Sequence, residues 1–235
     1  LLAESPRHRG LLLAAASGFT QYAYAFLQQE ADEVEATDPE RAEALRHRAR
    51  GFYRRARDYG LRGLERDHPG LAVRLSRDPN AALGDMGSGD VPFLYWTAAA
   101  WGAWIGLSKE RPARLAELPV VEAVMRRALA LDPGFNAGAL HEFFITYEGG
   151  RPEAMGGSVA RAREHFAEAV ALSAGRRASP LVALPRPSRS GSRIGKSSTG
   201  CSTPPSPWTS SRPRGGGWRT SSPSGEPAGS RPGPM

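Results

Sequence analysis

The sequence predicts an all-α fold: degenerate tetratricopeptide-like helical hairpins stacked in a compact array, followed by a disordered C-terminal tail. Three observations predict it. Apolar residues recur at spacings of three and four up to about residue 173, no stretch alternates as a strand would, and three segments share one small–large pattern.

The elements follow in order. Residues 10–30 include LLLAAASGFTQYAYAFLQQE, in which Leu12, Ala15, Phe19, Tyr22 and Phe26 fall on one helix face. Gly18 weakens that helix by about 1 kcal/mol relative to alanine. Asp38-Pro39-Glu40 opens the next helix, with an aspartate cap and proline at the first helical position. It runs to about Arg66 with Leu45, Ala49, Phe52, Ala56, Tyr59 and Leu64 as its apolar stripe. A shorter element follows Asp78-Pro79. Residues 91–109, VPFLYWTAAAWGAWIGLSK, are apolar almost all round, which predicts a helix buried on most sides. Pro119 starts VVEAVMRRALALD, stopped by Asp132-Pro133-Gly134; residues 135–148 form the next helix, stopped by Gly149-Gly150; residues 158–173 form the last.

The shared pattern is Ala49/Tyr53/Ala56/Tyr59, then Val121/Met125/Ala128/Leu131, then Ala162/Phe166/Ala169/Leu172. The small residues let one helix of a hairpin lie close against the other, and each hairpin needs a neighbour to cover its apolar face. An irregular bundle is the alternative, because any amphipathic helix with regular alanines fits part of the pattern.

Charge is unevenly distributed. The 235 residues carry 31 basic and 24 acidic side chains, a net +7. Residues 1–184 are balanced, with 23 of each sign, whereas residues 185–235 hold eight basic residues against Glu226 alone. The basic excess therefore says nothing about nucleic acid binding by the body of the protein, and no nucleic-acid partner is expected. One cysteine, Cys201, excludes a disulfide framework and a cysteine-built zinc site. No apolar run is long enough for a transmembrane helix. The chain begins at Leu1, so an upstream segment that could hold an export signal is expected to be missing.

The strings SGFTQYAYAFLQQEAD (17–32), RARDYGLRGLE (55–65), DVPFLYWTAAAWGAWIGLSKE (90–110), LDPGFNAGALHEFFITYEGG (131–150) and ARAREHFAEAVALSAGRRASP (160–180) together resemble the TatT family. This is the T component associated with tripartite ATP-independent periplasmic (TRAP) transporters. The likeness covers nearly all of 9–184. It implies cryptic tetratricopeptide hairpins in a periplasmic lipoprotein that is not an enzyme, uses no cofactor, forms a trimer and partners the solute-binding P subunit. It also implies a hydrophobic small-molecule ligand, with a carboxylate among the candidates. A generic tetratricopeptide-like scaffold for protein–protein interaction is the alternative function.

The resemblance ends where Pro, Ser, Gly and Arg take over. Residues 185–235 contain 13 Ser, 10 Pro and 9 Gly. Written in suitably chosen GC-rich synonymous codons and read two nucleotides on, 196–209 and 219–230 can encode amphipathic helical strings, so the tail is expected to be a frameshift product with the frame lost near Leu184–Pro185. The expected domain is thus 9–184, with 185–235 carrying no encoded purpose.

Candidate binding residues are aromatic: Tyr22, Tyr24, Tyr95, Trp96, Trp101, Trp104, Phe143 and Tyr147. Indole and phenol offer apolar area with one polar handle, which suits a ligand cleft as well as a core. Trp101 and Trp104 share a helix face; of Tyr22 and Tyr24, one is expected in the core and the other against a neighbour or ligand. His141-Glu142 is not HExxH, because position 145 is Ile, and reads as a structural pair. Arg54-Arg55 and Arg126-Arg127 read as solvated faces, either of which an anionic ligand or acidic patch could use. Gly195-Lys196-Ser197 lacks the earlier glycine and the strand of a phosphate loop. No catalytic or metal-binding set is found. The gene sequence tests the tail: a single insertion or deletion near codon 185 is expected to restore helix, and a frame that cannot be restored refutes it.

Overall fold

The computed structural model describes residues 2–108 and 110–176. The expectations for 185–235 lie outside them. The described residues are helical with no strand. The elements are α1 (Arg9–Tyr22), continued by a π-helical segment (Ala23–Gln28) into α2 (Gln29–Val34), then α3 (Pro39–Asp67), α4 (Leu71–Arg77), α5 (Pro79–Ala82), α6 (Val91–Gly106), α7 (Pro112–Leu115), α8 (Leu118–Leu131), α9 (Ala139–Gly149) and α10 (Val159–Leu172).

The caps explain the boundaries. The Asp38 carboxylate accepts from the Arg41 N–H at 3.0 Å, Asp78 from the Ala81 N–H at 3.1 Å, and the Ser158 hydroxyl oxygen from the Arg161 N–H at 3.2 Å. Each satisfies one of the donors that a helix start leaves unpaired. Helix α9 starts at Ala139 rather than at residue 135. Asn136 and Ala137 adopt φ of 45° and 53°, and Gly138 follows at φ 94° with its Cα against α10, so the chain turns before the helix begins.

The helices form antiparallel hairpins. Between α1–α2 and α3 the pairing runs from Glu30–Arg41 through Gln28–Tyr53 and Phe19–Tyr59 to Pro6–Arg62. Helix α10 folds back on α9, with His141 beside His165 and Gly138 beside Ala169. Helix α6 lies between α3, α1 and α8. It buries Val91, Phe93, Leu94, Thr97, Ala98, Trp101, Trp104 and Ile105, as its uninterrupted apolar character requires.

Two stripes differ from expectation. On α1–α2 the buried positions are Leu12, Ala16, Thr20, Ala23, Leu27 and Ala31, one side away from the Phe19, Tyr22, Phe26 face. That stripe takes five turns to cover 19 residues, about one residue more than α-helical pitch allows, and the wider π turn at 23–28 absorbs the excess. On α3, Tyr53 is in the core, and Phe52 and Tyr59 flank it half-buried. On α1–α2 small side chains such as Ala16, Ala23 and Ala31 take the core-facing positions, whereas α3 buries the large Tyr53 between its alanines. The three repeat segments behave alike at their small positions: Ala49, Ala56, Ala128, Ala162 and Ala169 are fully buried.

The closest approach is between α3 and α6. A Cβ at Gly60 would collide with the Thr97 side chain, and one at Gly63 with the Phe93 ring. Gly51, on the same helix, has nothing within 4 Å of that position. Gly63→Val should therefore destabilise the protein by roughly 1–3 kcal/mol through overpacking, whereas Gly51→Ala should be neutral or stabilise it by up to about 1 kcal/mol. Urea unfolding midpoints of the two variants measure the contrast.

Candidate functional site

The eight aromatic candidates separate into four groups. Tyr22 and Tyr24 are both exposed, at 40% and 54%, with Phe26 at 63%, so neither tyrosine is a core residue. Tyr22 stacks on Phe26 at 5.4 Å and meets Phe52 edge-on at 5.2 Å. Tyr22, Phe26, Leu27, Ala44 and Leu45 line a groove of about 450 Å³ between the π segment and α3, rimmed by Glu30, Arg41 and Arg48. The π turn makes this surface: it keeps Ala23 and Leu27 facing inward and leaves Tyr22, Tyr24 and Phe26 outside. Below it, the buried Tyr53 hydroxyl donates to Gln28 Oε1 at 2.8 Å. Burial pushes the Tyr53 phenol well above its ordinary range.

Trp101 and Trp104 lie on one face of α6 and are buried, as their spacing predicts. The Trp101 indole N–H donates to Glu117 Oε2 at 2.6 Å, and Arg114 donates to Glu117 Oε1 at 2.7 Å. The Arg57 guanidinium stands 5.2 Å from the Trp101 ring centroid and 4.5 Å from that of Trp104, while Arg114 lies 4.2 Å from Trp104. The indoles are thus held by charge on several sides. Trp104 also borders a cleft of about 270 Å³ shared with His47, Arg50, Gly51, Arg54, Ser108, Arg111 and Arg114.

Tyr95 and Trp96 pack against each other at 5.0 Å, and Tyr95 meets Phe135 at 5.3 Å; both candidates are half-buried. Phe143 and Tyr147 stack at 5.4 Å on α9. The Tyr147 hydroxyl donates to Glu122 Oε2 at 2.7 Å, and Arg151 covers the Tyr147 ring at 3.8 Å. Burial is the main cause that raises the Tyr147 pKa, and the Glu122 carboxylate adds to it. Burial would raise the pKa of Glu122 too, but hydrogen bonds from Tyr147 and Arg126 outweigh it and hold the carboxyl below its usual value.

Sequence reasoning missed the charge network beside this pair. Glu148 is fully buried and receives Arg161 at 2.7 Å and Arg126 at 3.1 Å, with Arg151 at 3.8 Å. Arg126 is therefore not a merely solvated side chain, and Arg127 donates to the Gly84 and Met86 carbonyls at 2.9 and 2.6 Å. Both ends of the Arg126-Arg127 pair are anchored because α8 abuts α9 on one side and the α5 turn on the other. The signal that could have found the network is Glu148 just before a Gly-Gly break, with arginines three and thirteen residues on. His141 is buried, and its ring Nδ1 lies 3.0 Å from His165 Nδ1, while the His165 ring stacks on Phe144 at 5.0 Å. Among the described residues no group of three or more His, Cys, Asp or Glu could hold a metal ion. Nor is any helix among them long and apolar enough to cross a membrane.

Comparison with known proteins adds two findings. The family model for TAtT, described as TRAP transporter T-component, matches residues 1–186. An uncharacterized protein of Treponema pallidum (strain Nichols) is 28% identical over 167 residues, which are 69% of this chain and 52% of that protein. The chain thus spans about half the length of the curated relative it matches.

The paired imidazoles make a pH prediction. Burial lowers the pKa of both, and in His165 the neighbouring imidazole lowers it further; Glu168 beside His141, and Glu148 and Glu164 beside His165, oppose the shift, while Arg126 reinforces it. The unfolded chain then binds more protons than the folded one. Their contribution to stability is complete above about pH 6.5 and is lost as pH falls below it. Thermal melts from about pH 8 to 5 should show this decline, and His165→Phe, which keeps the stack on Phe144, should flatten it.

Proposed function

Because this chain belongs to the TRAP transporter T-component family, we propose that it is a non-catalytic periplasmic partner of the transporter's solute-binding P subunit. The observation that carries this reading is the exposed aromatic surface of Tyr22, Tyr24 and Phe26 beside the α3 groove. Exposed clustered aromatics with a polar rim are the composition of a recognition surface rather than of a solvated helix. A π turn inside a helix frequently marks such a place. The groove holds an apolar small molecule against Phe26, Leu27 and Leu45, and the P subunit docks over it. A lipoprotein anchor and a trimeric assembly keep this surface near the membrane transporter. The half-buried candidates Tyr95, Trp96, Phe143 and Tyr147 act by holding α6 and α9 in place, while Trp101 and Trp104 position Arg57 and Glu117.

The test is titration of the cognate P subunit against this protein and its Tyr22→Ala/Phe26→Ala variant. Loss of both rings should weaken association by about tenfold to a hundredfold, the range for central aromatic anchors. Unchanged affinity refutes the aromatic surface as the docking site, and absence of any association leaves the scaffold reading.

A further inference from the structure

A second cleft differs from the aromatic groove in chemistry and shares no lining residue with it. It lies where the middle of α3 passes the C-terminal end of α6, and no carboxylate among the described residues lines it. His47, Arg50, Gly51 and Arg54 recur at three, four and seven along α3 and so present one helix face to it. Ser108, Arg111 and Arg114 come from the segment that follows α6.

The cations in this cleft have unequal freedom. Arg50 is committed: it donates to the Leu107 carbonyl at 3.0 Å and to Glu43 at 2.6 Å. The first bond also answers the negative end of the α6 dipole, which would otherwise repel an anion here. Arg114 is committed to Glu117 and to the face of Trp104. Arg54 has no ion pair or hydrogen bond among the described residues. Arg111 has only a 3.8 Å approach to Glu110, with both side chains well exposed, a geometry worth little in water. Two guanidinium groups are therefore available at one concave site whose remaining cations are locked in place.

Two further features point the same way. Ser108 is 3% exposed and borders the cleft, yet its hydroxyl makes no hydrogen bond to any described residue. The hydroxyl is thus open to a ligand in the cleft. Gly51 sits in the interior of a 29-residue helix, where glycine costs about 1 kcal/mol against alanine. No neighbour requires it, since nothing lies within 4 Å of its missing Cβ. What its absence of a side chain does is leave the cleft open.

We propose that this cleft binds a small molecule bearing a compact oxyanion, a phosphate or carboxylate group, held by the forks of Arg54 and Arg111 and by the Ser108 hydroxyl. Guanidinium suits such a group because its planar donors match two oxygens at once. Arg50 and Arg114, fixed by their own partners, supply the standing positive field. The site is independent of the apolar groove, and its occupation does not require the P subunit.

Isothermal titration of the full chain with inorganic phosphate and, separately, with succinate tests the proposal. Saturable binding of at least one is expected, and the tighter of the two identifies the head group preferred. Arg54→Gln/Arg111→Gln should weaken it by at least about tenfold. Gly51→Leu, which changes no charge, should weaken it comparably by filling the cleft, while circular dichroism shows both variants folded. Failure of both anions to saturate overturns the site. So does equal binding by the wild type and the double arginine variant, which would place the anion elsewhere on this basic chain, or full affinity in Gly51→Leu.

Discussion

The contact on which the described structure depends is the near-touching of α3 and α6 at Gly60 and Gly63. Phe93 and Thr97 occupy the space that side chains at those glycines would fill. This lets the apolar α6 press its whole length on α3 and shields Phe93, Leu94 and Ile105 from water, each worth about 1.5–3 kcal/mol when fully buried. The same approach sets what lies further along the pair. Running antiparallel from Gly63–Phe93, the helices bring Arg57 over the indoles and Arg50 to the carbonyl of Leu107. The cationic cleft is thus a consequence of two glycines three turns away.

Helix α3 serves two partners, and its faces divide accordingly. One takes α6. The other takes α1 and α2, whose stripe is slightly too long in pitch for an α-helix and is brought into register by the π turn. That adjustment leaves large aromatics outside while alanine and leucine go in. The apolar groove and the basic cleft are both built on α3, yet each faces a different neighbour. A protein that must hold an apolar group in one place and an anion in another can do so on a single rigid helix.

Arginine is the residue by which this body binds itself together. Its charges balance, and most guanidinium groups described above end on a carboxylate, a carbonyl or a ring. The buried Glu148 shows the stakes, since a carboxylate removed from water is tolerable only with its positive partners in reach. Where α8, α9 and α10 meet, three arginines provide them. Against this background Arg54, without an ion pair or hydrogen bond among the described residues, and the loosely engaged Arg111 stand out.

The sequence by itself determined the helices, because periodicity and caps are local. Asp38-Pro39 and Ser158 marked their helices, the buried α6 followed from its unbroken apolar run, and the family was legible in strings such as YWTAAAWGAWI. It also showed that Trp101 and Trp104 share a face. Short helices α4 and α7 escaped notice because a turn or two carries too little period. Which face of α1 went inward, and that both Tyr22 and Tyr24 stayed outside, depended on the π turn, and no local pattern announces a one-residue shift in pitch. Equally, His141 meets His165 and Glu148 meets Arg126 only because hairpins fold back and stack. Pairings of that kind join residues more than twenty positions apart, and their partners are chosen by packing, so only the tertiary structure decided them.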